Sequence, residues 1–250
     1  MKMNCKNCGH IVDGNFCSHC GQNSSVGRID FSSFINDVSE SIFQINRGFI
    51  YTLIELSTRP GRSIDEFLNG KRKNHFKPIA YVLLLSTVYF LITQITKQNT
   101  WLDDVVSGWM NGAVEESDDV EIPKFISWFM GNFAYTTLLL LPLFSFASYL
   151  TFFKFGKTYL EHIVINAYLT GHQAFIYSLF AIAGTLSDSD VLQMASSLLA
   201  VSYAFWVFLQ LFSQGSRLFN ILRLIMAYLL YFIFCTVLLV GLLAINEVSK

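Results

Sequence analysis

The chain has 250 residues, of which 53% are hydrophobic and only 14% are charged, and its formal net charge is −1. An average soluble domain carries about 25% charged residues. A water-soluble fold of this size could not bury so much apolar surface, so the composition excludes an ordinary soluble protein and predicts that much of the chain faces lipid. The balanced charge also gives no support to a nucleic-acid-binding protein.

The first predicted element is a zinc ribbon over residues 1–23. It contains two CxxC motifs, Cys5 with Cys8 and Cys17 with Cys20, and a glycine follows each motif at once. Zinc prefers four tetrahedral soft ligands, and a CxxC turn brings two thiolates to one ion. Because four protein ligands leave no open position, we expect a structural Zn²⁺ that supplies about 10 kcal/mol of folding free energy.

Two alternatives to zinc are a pair of disulfides and free thiols. Disulfides require an oxidising compartment, whereas the topology predicted below places this end of the chain in the cytoplasm. His10 and His19 lie within the motif, but four thiolates already fill the site, so both are interpreted as bystanders. Cys235 lies in an apolar run and is interpreted as a buried small hydrophobic residue.

Residues 24–78 are predicted to connect the ribbon to the membrane. A polar linker leads into residues 31–53, where apolar side chains at three-or-four spacing indicate an amphipathic helix. This helix would lie among the lipid headgroups, dock on the membrane helices or bind a partner, and we favour membrane association. Pro60-Gly61 ends that segment, and Ser63–Glu66 matches a capping box that predicts a short second helix.

A basic run directly precedes the first strongly apolar segment. Each cation beside a membrane can attract anionic lipid by about 1 kcal/mol, which predicts contact with lipid headgroups. The alternative, which we favour, is that the run is a topology signal and nothing more. Its cations are Lys71, Arg72, Lys73 and Lys77.

Five apolar stretches beyond residue 78 predict transmembrane helices, since crossing the hydrocarbon core takes about 20 residues. The stretches cover residues 79–95, 125–153, 159–186, 191–212 and 224–245. The predicted fold is therefore an all-α polytopic membrane protein with about five transmembrane helices in residues 79–250 and a small N-terminal zinc ribbon. Pro142 predicts a kink in the second of these helices.

The loops between these stretches alternate in charge. Residues 71–77, 154–157 and 217–223 are basic, whereas residues 97–124 and 187–190 are acidic. The positive-inside rule then places the ribbon in the cytoplasm and the C-terminus outside. The short connection between the third and fourth stretches also allows a re-entrant pair.

The third stretch is less apolar than the others. Polar groups at membrane depth face the interior of a helical bundle, because lipid cannot satisfy them. They indicate either a path for protons, ions or small solutes, or hydrogen bonds between helices, and we favour the second. The polar face at helical spacing consists of His162, Asn166, Thr170, Gln173 and Tyr177.

Four short motifs in the first third of the chain form a specific set. They are the ribbon Cys5–Gln22, Arg47-Gly48-Phe49 with Thr52, Arg59-Pro60-Gly61, and Phe67–Arg72 leading to Pro78. Together they resemble a bacterial membrane-protein family known only as a domain of unknown function, which joins a zinc ribbon to several spans. The resemblance implies a location in the bacterial inner membrane and a ribbon, and no activity. The layout is also similar to that of Yip-type five-span proteins of membrane trafficking, without a shared motif.

The sequence contains no P-loop, nucleophile elbow, HExxH motif or dinucleotide-binding glycine-rich loop, so we predict that the protein is not an enzyme. The preferred hypothesis is a membrane scaffold or adaptor whose cytoplasmic ribbon docks a protein partner at the lipid bilayer. The alternative is a small transporter or channel that uses the polar face of the third span. Only Lys2 and Lys6 are basic within residues 1–22, which disfavours nucleic acid, and a homo-oligomer is compatible with the sequence.

Overall fold

The computed structural model describes residues 3–31, 48–113, 124–185 and 190–248. Within these residues the chain is mostly helical, and a two-stranded antiparallel sheet, β1 (Met3–Asn4) and β2 (Ile11–Val12), lies near the N-terminus. Nine α-helices follow in the described part of the chain. They are α1 (Gly48–Thr58), α2 (Pro60–Leu68), α3 (Pro78–Thr96), α4 (Trp101–Ala113), α5 (Lys124–Gly131), α6 (Phe133–Phe152), α7 (Tyr159–Gly184), α8 (Asp190–Leu211) and α9 (Arg217–Val248).

Four helices in the described part of the chain are long and apolar enough to cross a membrane, which marks the chain as a membrane protein. They span Pro78–Thr96, Phe133–Phe155, Val191–Leu211 and Arg217–Ile245. The predicted third span forms α7, whose 26 residues are also long enough. Its polar side chains, however, make α7 less apolar than these four helices.

The helix α7 lies at the centre of the bundle. It packs against α3, α6, α8 and α1, and every side chain from Glu161 to Leu169 is buried. Gly171 allows α3 to approach closely, since a Cβ atom at this position would lie 2.7 Å from the ring of Tyr81 and 3.0 Å from the Cα atom of Val82. Because α7 faces protein on most sides, it can carry polar groups that lipid would not tolerate.

Two elements differ from the helices expected from the sequence. The second apolar stretch is divided at Asn132 between α5 and α6, because Gly131 and Asn132 are both poor helix formers. The acidic connection contains an unexpected helix, α4. Its start is a reciprocal cap in which Asp103 Oδ2 accepts the backbone N–H of Thr100 (2.7 Å) and Thr100 Oγ1 accepts the backbone N–H of Asp103 (3.2 Å).

The segment before the first long helix also differs in its boundaries. Of the predicted amphipathic helix over residues 31–53, residues 32–47 lie outside the described part, and residues from Gly48 onward belong to α1. The second helix begins at Pro60 rather than at the predicted box at Ser63, because proline supplies a pre-set φ at a first helical position. The short connection over residues 186–189 lies outside the described residues as well.

Candidate metal centre and its junction with the membrane helices

The four cysteines predicted to bind a metal lie together. Their Sγ atoms are all within 4.8 Å of one another. The Sγ atoms of Cys5 and Cys20 are 3.6 Å apart, and those of Cys8 and Cys17 are also 3.6 Å apart. A disulfide bond is about 2.05 Å long, so these thiols are free. The cluster is therefore arranged so that its four sulfurs could hold one metal ion.

The two CxxC motifs fold into the same knuckle turn. In the first, the backbone N–H of Gly9 donates to the carbonyl of Cys5, and in the second Gly21 donates to Cys17, both at 2.8 Å. Gly9 and Gly21 have φ angles of 76° and 69°, in the left-handed region that glycine adopts without steric cost. The glycine after each motif therefore closes the turn that presents two sulfurs to one point.

Backbone amides of the knuckles stabilise the thiolate form of Cys5 and Cys17. The N–H of Cys8 is the main cause that lowers the pKa of the Cys5 thiol to about 7. The N–H of Cys20 acts in the same way and lowers the pKa of Cys17. The pKa of the Cys8 thiol is instead raised to about 12, because the lowering effect of the backbone N–H of His10 is outweighed by burial and by hydrogen bonds with the other three thiols. Since the thiolate is the form that binds metals, the backbone hydrogen bonds favour metal binding at Cys5 and Cys17.

The ribbon has a very small core and an exposed apolar surface. Val12 packs on the buried sulfurs and is 3% exposed. On the outer surface, the side chains of Ile11 and Phe16 are 57% and 64% exposed. The rings of His10 and His19 stack with their centroids 5.3 Å apart, outside the group of metal ligands.

Gln22 joins the ribbon to the loop after α2. Its side chain is 4% exposed, and its Nε2 donates to the carbonyl of Gly70 at 2.9 Å. Its Oε1 accepts the backbone N–H groups of Arg72 and Lys73, both at 3.1 Å. Gly70 has a φ of 109°, and a Cβ atom there would lie 2.7 Å from the side chain of Lys6. The ribbon therefore rests directly on this loop.

The four cations of the predicted headgroup-binding run differ in their surroundings. Arg72 donates to the carbonyls of Gly27 (3.0 Å) and Phe67 (3.3 Å), so it belongs to the junction with the ribbon. Lys71 pairs with Glu66 at 3.3 Å. Lys73 is exposed, and Lys77 is the residue before the first turn of α3. Lipid contact by this run remains a prediction.

Arg28 forms a second attachment between the linker and the helices. Its guanidinium donates to both carboxylate oxygens of Glu161, at 2.8 and 2.7 Å, and to the carbonyl of Gly156. The Glu161 side chain is 6% exposed and also caps α7 by accepting the backbone N–H of Thr158 at 2.7 Å. The neighbouring Ile29 is buried in the hydrophobic core that the helices form. The linker is therefore anchored to the start of the central helix.

We expect Gln22→Ala to loosen the junction. The variant removes one buried and two partly buried hydrogen bonds, each with a net contribution of about 1 kcal/mol. The amides of Arg72 and Lys73 should therefore exchange with deuterium about 30-fold faster or more. Asn23→Ala is the matched control, because this exposed amide accepts hydrogen bonds from its neighbour Ser25. Equal exchange in both variants would show that Gln22 does not hold the ribbon.

The first part of the polar face of α7 is a buried cluster shared with α6. Ser148 Oγ lies 2.9 Å from His162 Nδ1 and accepts from Asn166 Nδ2 at 2.8 Å, and Ser145 Oγ accepts from the same amide at 3.3 Å. All four side chains are fully buried. His162 Nε2 and Asn166 Oδ1 have no hydrogen-bond partner within the described residues.

The remainder of that face is partly buried. Gln173 Nε2 donates to the carbonyl of Ala200 on α8 at 2.9 Å. The ring of Tyr177 lies 5.6 Å from that of Tyr89 on α3, and Thr170 is half-buried. The hydrogen bonds found on the predicted face thus join α7 to its neighbours, as expected for interhelical contacts.

A second polar cluster was not singled out from the sequence. His172 Nδ1 lies 3.0 Å from the hydroxyl of Tyr81, and its Nε2 lies 3.3 Å from Ser57 Oγ. Its ring stacks on Tyr203 with a centroid distance of 4.8 Å. The cluster joins α1, α3, α7 and α8. Its residues are so far apart in the chain that no local sequence pattern reveals their contact.

These features define a helical membrane protein with a four-cysteine cluster that could bind a metal. Residues 46–90 match the model of a family described as a protein of unknown function, DUF3667, so this segment is similar to that family. The match runs from the start of α1 into α3 and leaves out the ribbon. No curated protein and no solved structure matches the chain.

The motif residues within the matched segment hold its three helices together. Thr52 Oγ1 accepts the backbone N–H of Phe76 at 2.7 Å. Arg59 pairs with Glu66 at 3.1 Å. Pro78 is the first residue of α3. The segment that is similar to the family is therefore a packing unit between the ribbon and the long helices.

Proposed function

We propose that the protein is a non-enzymatic membrane adaptor whose ribbon is a rigid docking module for a protein partner. The observation that carries this proposal is the junction at Gln22 and Arg28, which fixes the ribbon to the helices and leaves its outer surface exposed. A domain held in this way has a defined orientation at the membrane. Binding to it therefore positions a partner without the entropy cost of ordering a flexible linker.

We also propose that the metal is a structural Zn²⁺ ion. Four thiolates form a soft ligand set that favours zinc. The sulfur–sulfur separations of 3.6 Å agree with the edge of about 3.8 Å that a tetrahedron with Zn–S bonds of about 2.3 Å requires. With four protein ligands the ion would have no open position for a substrate, which supports a role in folding rather than catalysis.

The docking surface that we propose is centred on Ile11 and Phe16. Both are large apolar side chains that remain mostly in contact with water, although the ribbon has few apolar residues. Exposed aromatic side chains frequently contribute most to binding free energy when a partner buries them. The partner would therefore be a protein that presents an apolar pocket to the ribbon.

The proposed topology places the ribbon in the cytoplasm of a bacterial cell, with five crossings of the inner membrane. The helices α3, α6, α7, α8 and α9 would make these crossings, and α7 would be the central one. In support, α3 and α7 begin beside the ribbon junction, and α8 ends beside α2. The basic residues near these ends agree with a cytoplasmic location.

The docking proposal is tested with crosslinked affinity purification from native membranes. We expect Ile11→Ser with Phe16→Ser to reduce the recovery of the partner by about tenfold or more, since tenfold corresponds to only about 1.4 kcal/mol. Metal content should stay unchanged, because neither residue is a ligand. Asp13→Ser is the matched control, since it places serine at another exposed position between the knuckles. An unchanged partner set in the double variant would overturn the proposal.

The alternative function is a small transporter or channel. It is favoured by a cavity of about 310 Å³ at the end of the bundle far from the ribbon, because Tyr177 of the polar face lines this cavity. Gradient-driven uptake of a solute into proteoliposomes, abolished by Asn166→Ala, would support this alternative over the adaptor.

A further inference from the structure

The cavity of about 310 Å³ lies where four helices meet, at the end of the bundle opposite the ribbon. The ends of α3 and α7 and the beginnings of α4 and α8 form its walls. Its volume is at the lower end of the range of about 300 to 1,000 Å³ found for sites that bind small molecules. Aromatic side chains form much of its lining, namely those of Tyr89, Trp101, Tyr177 and Phe180.

The lining is held in place by hydrogen bonds between the walls. Tyr89 Oη accepts the backbone N–H of Trp101 at 3.1 Å, which fixes the start of α4 against α3. Gln98 Nε2 donates to the carbonyl of Ala181 at 3.2 Å. Gly184 leaves space for that amide, because a Cβ atom there would lie 3.0 Å from Gln98 Nε2. These hydrogen bonds join α3 and the segment after it to the start of α4 and to the end of α7.

The cavity carries a single charge among the described residues that line it. This charge is the carboxylate of Asp104, and the described lining includes no lysine, arginine or histidine. Trp101 and Asp104 are three residues apart on α4, so the indole and the carboxylate lie on the same face of the helix. Gln193 Nε2 donates to Asp104 Oδ2, which orients the carboxylate. The sequence of residues 97–124 is also acidic, with seven Asp or Glu and two Lys.

The aromatic lining distinguishes an organic cation from a metal ion. Ca²⁺ needs about six to eight oxygen ligands, and one carboxylate with a few amides and hydroxyls does not provide such a shell. Aromatic faces attract a tetraalkylammonium group by about 0.5 to 2 kcal/mol per contact. We propose that this cavity binds a small organic cation of the alkylammonium class, with Asp104 as the counter-ion and Trp101 and the nearby tyrosines as the apolar walls.

This site is independent of the adaptor function, because it lies at the other end of the bundle from the ribbon. The test uses the full chain in detergent micelles or nanodiscs and measures saturable binding of radiolabelled choline. Tetramethylammonium should compete for the site. The neutral isostere 3,3-dimethylbutan-1-ol should not compete, because it has the same shape without the charge.

Two substitutions distinguish the contribution of the Asp104 carboxylate from that of the other negative charges nearby, and a third tests the aromatic wall. Asp104→Asn keeps the size of the side chain and should weaken choline binding by about tenfold or more, the equivalent of about 1.4 kcal/mol. Asp103→Asn is the matched control, because it removes a neighbouring charge that does not line the cavity, while its amide oxygen can still accept the hydrogen bonds from Thr100 that cap α4. Trp101→Phe should retain most of the binding, because it keeps an aromatic face.

Three results would overturn the proposal. The first is the absence of saturable choline binding up to about 10 mM, beyond the millimolar affinities that correspond to about −4 kcal/mol. The second is equal competition by the neutral isostere, which would indicate an apolar pocket without charge selection. The third is an equal loss of binding in Asp103→Asn and Asp104→Asn. This result would show that choline is attracted by the negative charge of the whole acidic segment and not by Asp104 in particular.

Discussion

Cys5→Ser combined with Cys17→Ser is expected to abolish metal binding and to unfold the ribbon. Beyond the cysteines, the small core of the ribbon contains only Val12 among the described residues, so we expect a metal bound there to supply most of the folding free energy of the ribbon, about 10 kcal/mol. The measurements are the metal content of the purified protein and hydrogen exchange over residues 3–31. Exchange in the ribbon should become as fast as in an unfolded peptide, while α3 and α7 stay protected.

The matched control for this experiment is Cys235→Ser, which removes the fifth cysteine from α9. That side chain is far from the cluster in the sequence and is not among the metal ligands, so the metal content should not change. Removal of the metal from the unaltered chain by a chelator should reproduce the effect of the double variant. A ribbon that stayed protected without metal would show that its junction with the helices is sufficient to fold it.

Gly61→Ala is expected to destabilise the membrane helices strongly. A Cβ atom at this position would lie 2.6 Å from the carbonyl oxygen of Val207 and 2.7 Å from the backbone nitrogen of Leu211. These are backbone atoms of α8 and cannot rotate away, so α2 would have to separate from α8. We expect a loss of about 3 kcal/mol or more in the free energy of unfolding.

The measurement for Gly61→Ala is thermal unfolding in detergent, together with the fraction of monodisperse protein. The matched control is Gly108→Ala, because nothing lies within 4 Å of a Cβ atom at that helical position. In an open helix position, alanine stabilises relative to glycine by about 0.5 to 1 kcal/mol. If both variants had similar unfolding temperatures, the close contact between α2 and α8 would not be a determinant of stability.

The ribbon and the long helices are joined through α2. A metal bound to the four cysteines would fold the ribbon, and Gly61 allows α2, on whose loop the ribbon rests, to pack against the long helices. Gln210 Oε1 strengthens that contact by accepting the backbone N–H of Gly61 at 3.0 Å. The segment similar to DUF3667 includes α2 and its neighbours, so the resemblance concerns the part of the chain that couples the N-terminal domain to the membrane bundle.

Some features of the fold could be predicted because they depend on short stretches of sequence. Four helices with the length and apolarity of membrane spans lie close to predicted spans, and the four cysteines lie together as expected. The helix α4 was missed because its acidic residues resemble those of a solvated loop. Its signal was the pair Thr100 and Asp103 at capping-box spacing, followed by apolar residues at helical spacing.

The residues that join the ribbon to the helices could not be predicted in the same way. Gln22 and Arg28 lie in a polar segment of the kind that usually forms a flexible linker. Nothing in the neighbouring residues indicates that one is buried and that the other pairs with a buried carboxylate. The same holds for the cavity at the end of the bundle far from the ribbon, because its lining comes from four helices and each contributes only a few side chains.

Apolar length and CxxC spacing are patterns within about 20 residues, so they are sufficient to predict a helical membrane protein with a cluster of four cysteines. The identity of the central helix, the position of the ribbon and the location of the cavity depend instead on residues that are distant along the chain. Gln22, for example, meets a partner 48 residues away, and Arg28 meets one 133 residues away. Such contacts depend on how the helices pack, which no local pattern encodes.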